Sequence, residues 1–240
     1  HGSLICYHPG ADPQDLRETL RNIEHAQWFS PLRANRFQLL ASSPVCLAPG
    51  RFGITAIRNH PEYRGIMTDE AYRSLHLYRK AFEDEDRHRT YPLWKKIEER
   101  LARWAAEYRR IRGERGARPL EVRDDGGILR LICRSADDGG IVETEICLED
   151  LTADLYRECD VPRSLADLRR RFPAAGGPRI QEVLDGLVDR HVMFREGESY
   201  LSLGIPADVA PSAARETMAG DPDREHTTGI LRPLDKEKMP

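Results

Sequence analysis

Residues Leu4–Glu24, LICYHPGADPQDLRETLRNIE, constrain the fold more than any other stretch of this chain. Ser3–Cys6 (SLIC) reads as a short apolar strand, ended by a Pro9-Gly10 turn. Asp12 then suits a helix N-cap, because its carboxylate can accept from a free N–H of the first turn. Pro13 fits the first helical position, where its missing N–H costs nothing, and Asp15 lies where the helix dipole favours negative charge. Leu16, Leu20 and Ile23 line one face. A second strand-like run, ANRFQLLAS (34–42), follows. Strand, helix and strand predict a parallel βαβ unit and an α/β fold. Two strands cannot close a core by themselves, so further strands are expected from elsewhere. Taken alone, residues 1–67 are expected to expose apolar strand edges and to be poorly soluble.

Residues 69–112 read as two helices. In the second, Trp94, Ile97, Leu101, Trp104, Tyr108 and Ile111 recur at spacings of three and four, which makes a packing seam. The opposite face mixes Lys and Arg with Glu, the pattern of a solvated surface. RGERGARP (112–119) reads as a linker.

A further domain follows. LEVRDDGGILRLICR predicts a hairpin, SADDGG a second turn and IVETEICL a third strand. Three short helices come next. The first buries Leu151, Leu155 and Tyr156. The second starts on a Ser164/Asp167 capping box and turns Leu165, Leu168 and Phe172 inward. The third carries Ile180, Val183, Leu184, Leu187 and Val188 on one stripe. A hairpin turning at Glu196-Gly197-Glu198 ends the domain. Three helices and a terminal hairpin describe a winged helix, here preceded by a small sheet. From about Pro206 the periodicity stops and Pro and charged residues take over, as in a disordered tail.

Composition limits the function. The chain has 240 residues, 40% hydrophobic and 32% charged, with a formal net charge of -3, so it should form one or two soluble domains without general attraction to nucleic acid or anionic lipid. No apolar run reaches the length of a membrane span and no signal peptide is evident, so a cytoplasmic location is expected. The chain begins at His1, as a segment or processed product would. The five cysteines (Cys6, Cys46, Cys133, Cys147, Cys159) show no CxxC or CxxxCxxC spacing, which argues for reduced thiols rather than disulfides or a zinc site. No histidine pair has metal-binding spacing, and both DDGG-like stretches are hairpin turns rather than phosphate cradles. Ser42, Ser43 and Ser202 lack a nucleophile-elbow context.

A winged helix often reads DNA through a basic recognition helix. Here RIQEVLDGLVDRH sets Arg179 and Arg190 against Glu182, Asp185 and Asp189, which would repel phosphate. Arg169–Arg171 is the one basic cluster. The better option is capture of an extended peptide by β-augmentation, with IVETEICL as the edge and the third helix beside it. An acidic groove of this kind would suit a peptide with basic or neutral anchors.

Several stretches together resemble one family. LICYHPGADPQDLRETLRNIE resembles the late strand, turn and helix of radical S-adenosylmethionine (SAM) barrels. RFQLLASSPVCLAPGRFGI is similar to the next barrel strand and its Pro-rich exit. GRFGITAIRNHPEYRGIM resembles the post-barrel segment of cobalamin-dependent radical SAM C-methyltransferases that mature ribosomal peptides. DLYRECDVPRSLADLRRRF and VLDGLVDRHVMFREGESYLSLGIP resemble the C-terminal end of those enzymes, a PqqD-like peptide-recognition fold.

The resemblance covers most of residues 3–206. It implies barrel strands in 1–67, a helical connector in 68–118, a PqqD-like or winged-helix domain in 119–205 and a disordered tail in 206–240. It implies that the complete enzyme uses SAM, a [4Fe-4S] cluster and cobalamin to methylate an unactivated carbon of a precursor peptide. The cluster cysteines and the cobalamin domain would lie outside this chain. Tyr7, His8 and Gly10 stand in the turn that would contact SAM, with Tyr7 where Gly is usual and Ala11 where Glu is usual. A leader peptide would add to the third strand beside the third helix, at Ile141, Glu143 and Glu145 and at Arg179, Glu182 and Asp185. The alternative is a non-enzymatic peptide-binding adaptor or a winged-helix regulator.

Overall fold

Strand β1 (Ser3–Cys6), helix α1 (Pro13–Ala26) and strand β2 (Arg33–Arg36) form the expected βαβ unit, and β1 and β2 pair in parallel from Ser3↔Arg33 to Cys6↔Arg36. This is seen in a computed structural model that describes residues 2–113, 116–137 and 139–207; part of the expected linker and nearly all of the expected tail lie outside the described residues. The α1 cap is as the residue order requires: Asp12 Oδ1 accepts from Gln14 N at 2.6 Å, and Pro13 opens the helix.

The second expected strand is two strands. After β2 the chain turns at Phe37-Gln38, and β3 (Leu39–Leu40) joins a different sheet. Phe37 divides the run: its N–H still donates to Cys6 O at 2.8 Å, while its ring meets Phe82 of the second sheet edge-on at 5.9 Å. The short helix α2 (Pro44–Leu47) leads to β4 (Ile54–Asn59), and α3 (Asp69–Ser74) leads to β5 (Arg79–Asp84). β5 is the middle strand of the antiparallel order β3-β5-β4.

The expected helical connector therefore contains a strand. RKAFED has few apolar residues and no helical or strand periodicity long enough to betray it. It is extended because β3 and β4, distant in sequence, bond to both of its edges. Asn59 seals the corner. Its Nδ2 donates to Tyr72 O at 2.7 Å and to Leu75 O at 2.8 Å, and its Oδ1 accepts from Lys80 Nζ at 2.7 Å.

Helix α4 (Arg87–Gly113) carries the seam read from the sequence: Trp94, Ile97, Leu101, Trp104 and Ile111 are buried. Most of it packs on α1, so that Trp94, Ile97, Leu101 and Trp104 share one core with Cys6, Ala11, Leu16 and Ile23. The βαβ unit thus closes one face with a helix of the same chain. The β1–β2 sheet still has only two strands, and Ile5 is left 54% exposed.

β6 (Leu120–Asp124), β7 (Leu129–Asp137) and β8 (Gly140–Leu148) form an antiparallel meander. α5 (Asp150–Glu158), β9 (Arg163–Ser164), α6 (Leu165–Arg171) and α7 (Gly177–Asp189) follow, then the hairpin β10 (Met193–Glu196) and β11 (Ser199–Ser202), and β12 (Ile205–Pro206). β9 pairs with β11, giving the order β10-β11-β9, and β12 lies parallel on β6, giving β12-β6-β7-β8. One continuous core joins the sheet to the helices and hairpin through Leu131, Leu148, Leu155, Leu168, Ile180, Leu184 and Tyr200. The capping box at α6 is present: Ser164 Oγ accepts from Asp167 N at 3.1 Å. Gly204 lets β12 reach β6, since a Cβ there would stand 2.1 Å from Val122 Cγ2.

The architecture is mixed α/β, with several small sheets. Among the described residues no helix is long and apolar enough to cross a membrane.

Candidate functional sites

The four-stranded sheet has two unlike edges. On one side β12 covers part of β6. On the other, β8 pairs with β7 from Leu129↔Leu148 to Asp137↔Gly140, and its outer edge has no strand partner among the described residues. The C-terminal end of β8 and helix α7 enclose an open groove of about 380 Å³. Cys147 and Leu148 form its strand wall. Arg179, Glu182, Val183 and Arg190 form its helix wall. Gly186 also lines it, with nothing within 4 Å of where a Cβ would sit, so the helix surface is bare there.

The residues expected to dock a peptide separate into three groups. Arg179 and Glu182 line the groove and face each other at 3.4 Å. Asp185 lies off the groove wall, accepting from Gln181 at 2.9 Å and from Arg195 of the hairpin at 3.4 Å. Ile141, Glu143 and Glu145 are on the edge strand but not at the groove. Glu143 pairs with Arg134 at 2.8 Å and Glu145 with Arg130 at 3.3 Å, both across to β7. With Arg179 and Arg190 opposite Glu149 and Glu182, the wall is balanced in charge rather than acidic. The expectation of acidity counted every charge on α7, whereas only part of its circumference meets the groove. Cys147 and Gly186 had no signal in the sequence beyond their strand and helix positions, and Arg190 entered only as a charge of the third helix.

The arginine cluster in the last turn of α6 is partly neutralised. Arg171 pairs with Glu158 at 2.8 Å and Arg170 with Asp167.

A second site lies at the carboxyl ends of β1 and β2, the place where open parallel sheets characteristically receive ligands. A cavity of about 320 Å³ opens there between the two small sheets and the start of α4. Tyr7 and His8 line it, but Gly10 does not: with φ at +75° it turns the chain against Phe52, whose Cα lies 3.6 Å from where a Cβ would be.

Tyr7 is the most constrained residue of the wall. Its φ of 59° is left-handed, a conformation that favours Gly and strains a side-chain-bearing residue by roughly 1–2 kcal/mol. Side-chain contacts hold it there. The hydroxyl donates to Glu98 Oε2 at 2.7 Å, and the ring packs 5.3 Å from Tyr91 and 5.9 Å from Trp94. The Arg36 guanidinium covers the ring at 4.7 Å while bonding both oxygens of Glu98 at 3.2 Å. Burial, then the bond to Glu98, pushes the Tyr7 hydroxyl well above the usual phenol range. Ala11 is buried in the α1–α4 core, where a Glu would bring a carboxylate into apolar surroundings.

Cys6, Cys133, Cys147 and Cys159 are not activated as nucleophiles. Burial pushes Cys6 up to about 11 and Cys159 up to about 12. Cys147 is exposed but donates to Glu145 Oε1 at 3.4 Å, which also raises it. Among the described residues no group of three or more His, Cys, Asp or Glu side chains is placed to hold a metal ion. Comparison with family models, curated proteins and solved structures finds no match to this chain, so both sites are read from their own chemistry.

Proposed function

We propose that this chain docks a ribosomally made peptide for modification, as the C-terminal part of a radical SAM enzyme of the C-methylating kind its sequence resembles. One observation carries the reading: among the described residues the outer edge of β8 has no strand partner, and it ends in a groove against α7. An extended peptide laid along β8 would bond to its free backbone groups, and alternate side chains would face the groove and solvent. The order α5, β9, α6, α7, β10, β11 supports a winged-helix reading of the supporting half. The near-neutral groove favours apolar or mixed anchors over strongly basic ones.

The chain's own contribution would be positioning, which raises the effective concentration of the acceptor at a reactive centre. The residues present do not fit a [4Fe-4S] cluster: their cysteines are scattered and the buried ones held as thiols. No radical step is assigned to these residues. Tyr7 and His8 would line the cavity that receives SAM, whose radical chemistry would need an electron from a cluster held elsewhere.

The test is a titration of the isotope-labelled chain with the precursor peptide encoded beside its gene. Shifts should concentrate on β8 and α7. A peptide N-methylated at alternate amides should lose the interaction, because it cannot bond to the strand edge. Equal binding by the methylated peptide, or salt-sensitive binding of duplex DNA in place of peptide, would overturn the reading.

A further inference from the structure

The cavity at the ends of β1 and β2 holds more positive charge than the fold neutralises. Three of its arginines have carboxylate partners: Arg36 with Glu98, Arg58 with Glu83 and Arg79 with Glu62. Lys80 and Arg87 form no ion pair among the described residues. Lys80 is only 8% exposed, and its ammonium donates to the neutral amide oxygen of Asn59 at 2.7 Å. A buried ammonium without a counter-charge is unfavourable unless something supplies one. Arg87 stands at the cavity mouth, its guanidinium 5.9 Å from the Tyr91 ring.

Other groups in the wall limit what can enter. Asp84 lies on the same face of β5 as Lys80 and is the wall's one carboxylate. Burial raises its affinity for a proton, partly opposed by Arg87. Tyr7, Tyr91 and Trp94 supply a continuous aromatic side. The site therefore has room for one negative charge, not two, next to a flat apolar surface.

We propose that this cavity binds a single carboxylate carried on an apolar or aromatic body, with Lys80 and Arg87 on the carboxylate and Tyr7, Tyr91 and Trp94 against the body. A phosphate dianion would meet Asp84 with its second charge uncompensated. The proposal does not rest on the peptide groove, and either can fail alone.

Two sources could deliver such a group: a carboxylate of the peptide, or the methionine tail of a SAM-type nucleoside. The probe is phenylacetate, titrated calorimetrically into the full chain, with phenylacetamide and inorganic phosphate as controls. Phenylacetate should bind saturably, and the amide about tenfold or more weaker, since charge-assisted hydrogen bonds are roughly twice as strong as neutral ones. Lys80→Gln and Arg87→Gln should each weaken phenylacetate by about tenfold, and Asp84→Asn should tighten it. Arg87 is exposed at a helix start, so its variant keeps the test valid even where Lys80→Gln does not fold.

Competition identifies the source. A peptide with a free C-terminal carboxylate that displaces phenylacetate, where its amide does not, assigns the peptide. S-adenosylhomocysteine that displaces it, where adenosine does not, assigns the nucleoside. Acid and amide binding equally, Arg87→Gln binding like the parent chain, or no saturable binding would each overturn the proposal.

Discussion

The two halves of the chain solve the same problem in opposite ways. From Leu120 onwards, β6, β7 and β8, and β10 and β11, pair with their sequence neighbours, and one core runs through sheet, helices and hairpin, with only β9 and β12 pairing at a distance. Before Gly113 the partners are remote: α1 closes on α4, and β5 is held between β3 and β4. A core made locally leaves an edge free for use, as at β8. A core assembled from remote pieces leaves gaps between its sheets, and the charged cavity is one of them. The two halves also touch: Trp28 Nε1 at the end of α1 donates to His191 O at 2.5 Å, and His25 meets the His191 ring at 4.8 Å.

The contrast breaks most visibly at Trp104. It is buried between α4 and α1 and its Nε1 donates to Phe29 O at 3.1 Å. Trp104→Ala should cost about 3–5 kcal/mol, the usual range for deleting a buried aromatic. Hydrogen exchange should show α1 and β1 losing protection while α5 and α7 keep it. Equal loss in both halves would mean that they fold as one unit. For the same reason residues 1–67, which lack α4, should aggregate or stay unfolded when expressed alone; a soluble, cooperatively melting product would contradict the remote-partner account.

Within the local half, Arg134 is the sharper probe. Its side chain is 10% exposed and bridges Glu121 at 3.1 Å and Glu143 at 2.8 Å. Arg134→Ala should cost about 3 kcal/mol, because Glu121 is left buried with only Arg123. Burial pushes the Glu121 carboxyl up, but hydrogen bonds from Arg123 and Arg134 outweigh it and hold the group below the ordinary glutamate value. Its folded value is therefore below its unfolded one. The stabilisation is present above the unfolded value, and it is lost as pH falls through the folded one. Urea melts of Glu121→Gln should show a flatter stability profile on the acid side.

A smaller effect is expected at Gly204. An added methyl would stand 2.1 Å from Val122 Cγ2 and 2.8 Å from the Tyr156 hydroxyl. Gly204→Ala should cost roughly 1–3 kcal/mol, typical of overpacking, and loosen β12 from β6. A neutral result would show that this edge is not closed in solution.

The smallest is at Tyr7. Tyr7→Phe removes only the bond to Glu98 and should cost about 1 kcal/mol. Tyr7→Gly relieves the left-handed backbone but also loses the ring contacts, so it should be the less stable variant of the two by thermal melting. The reverse order would mean that backbone strain outweighs packing in this wall.

Much of the local half was legible because its signals are short-range: the Ser164/Asp167 cap, the glycine turns, and the stripe Ile180, Leu184, Leu187. The same is true of Asp12-Pro13 and of the seam from Trp94 to Ile111. β5 was not legible, since RKAFED is extended only through its bonds to β3 and β4. Nor was the division at Phe37, which depends on a ring in another sheet. Of the groove, Arg179 and Glu182 were found from their helix. Asp185, Glu143 and Glu145 found other partners, because the charge that a side chain meets depends on strand register and helix rotation. Lys80 gave no signal at all, since a lysine in a polar hexapeptide reads as exposed.

The amino-acid order by itself determined where helices start, which faces are apolar and how the hairpins turn, because caps, turns and periodicity act within a few residues. Tertiary structure alone decided that α4 closes on α1, that Tyr7 is held left-handed by Glu98 and Arg36, and that Lys80 is buried with no ion pair among the described residues. Those outcomes depend on contacts between residues far apart in the chain, whose energies exist only once the chain has brought them together.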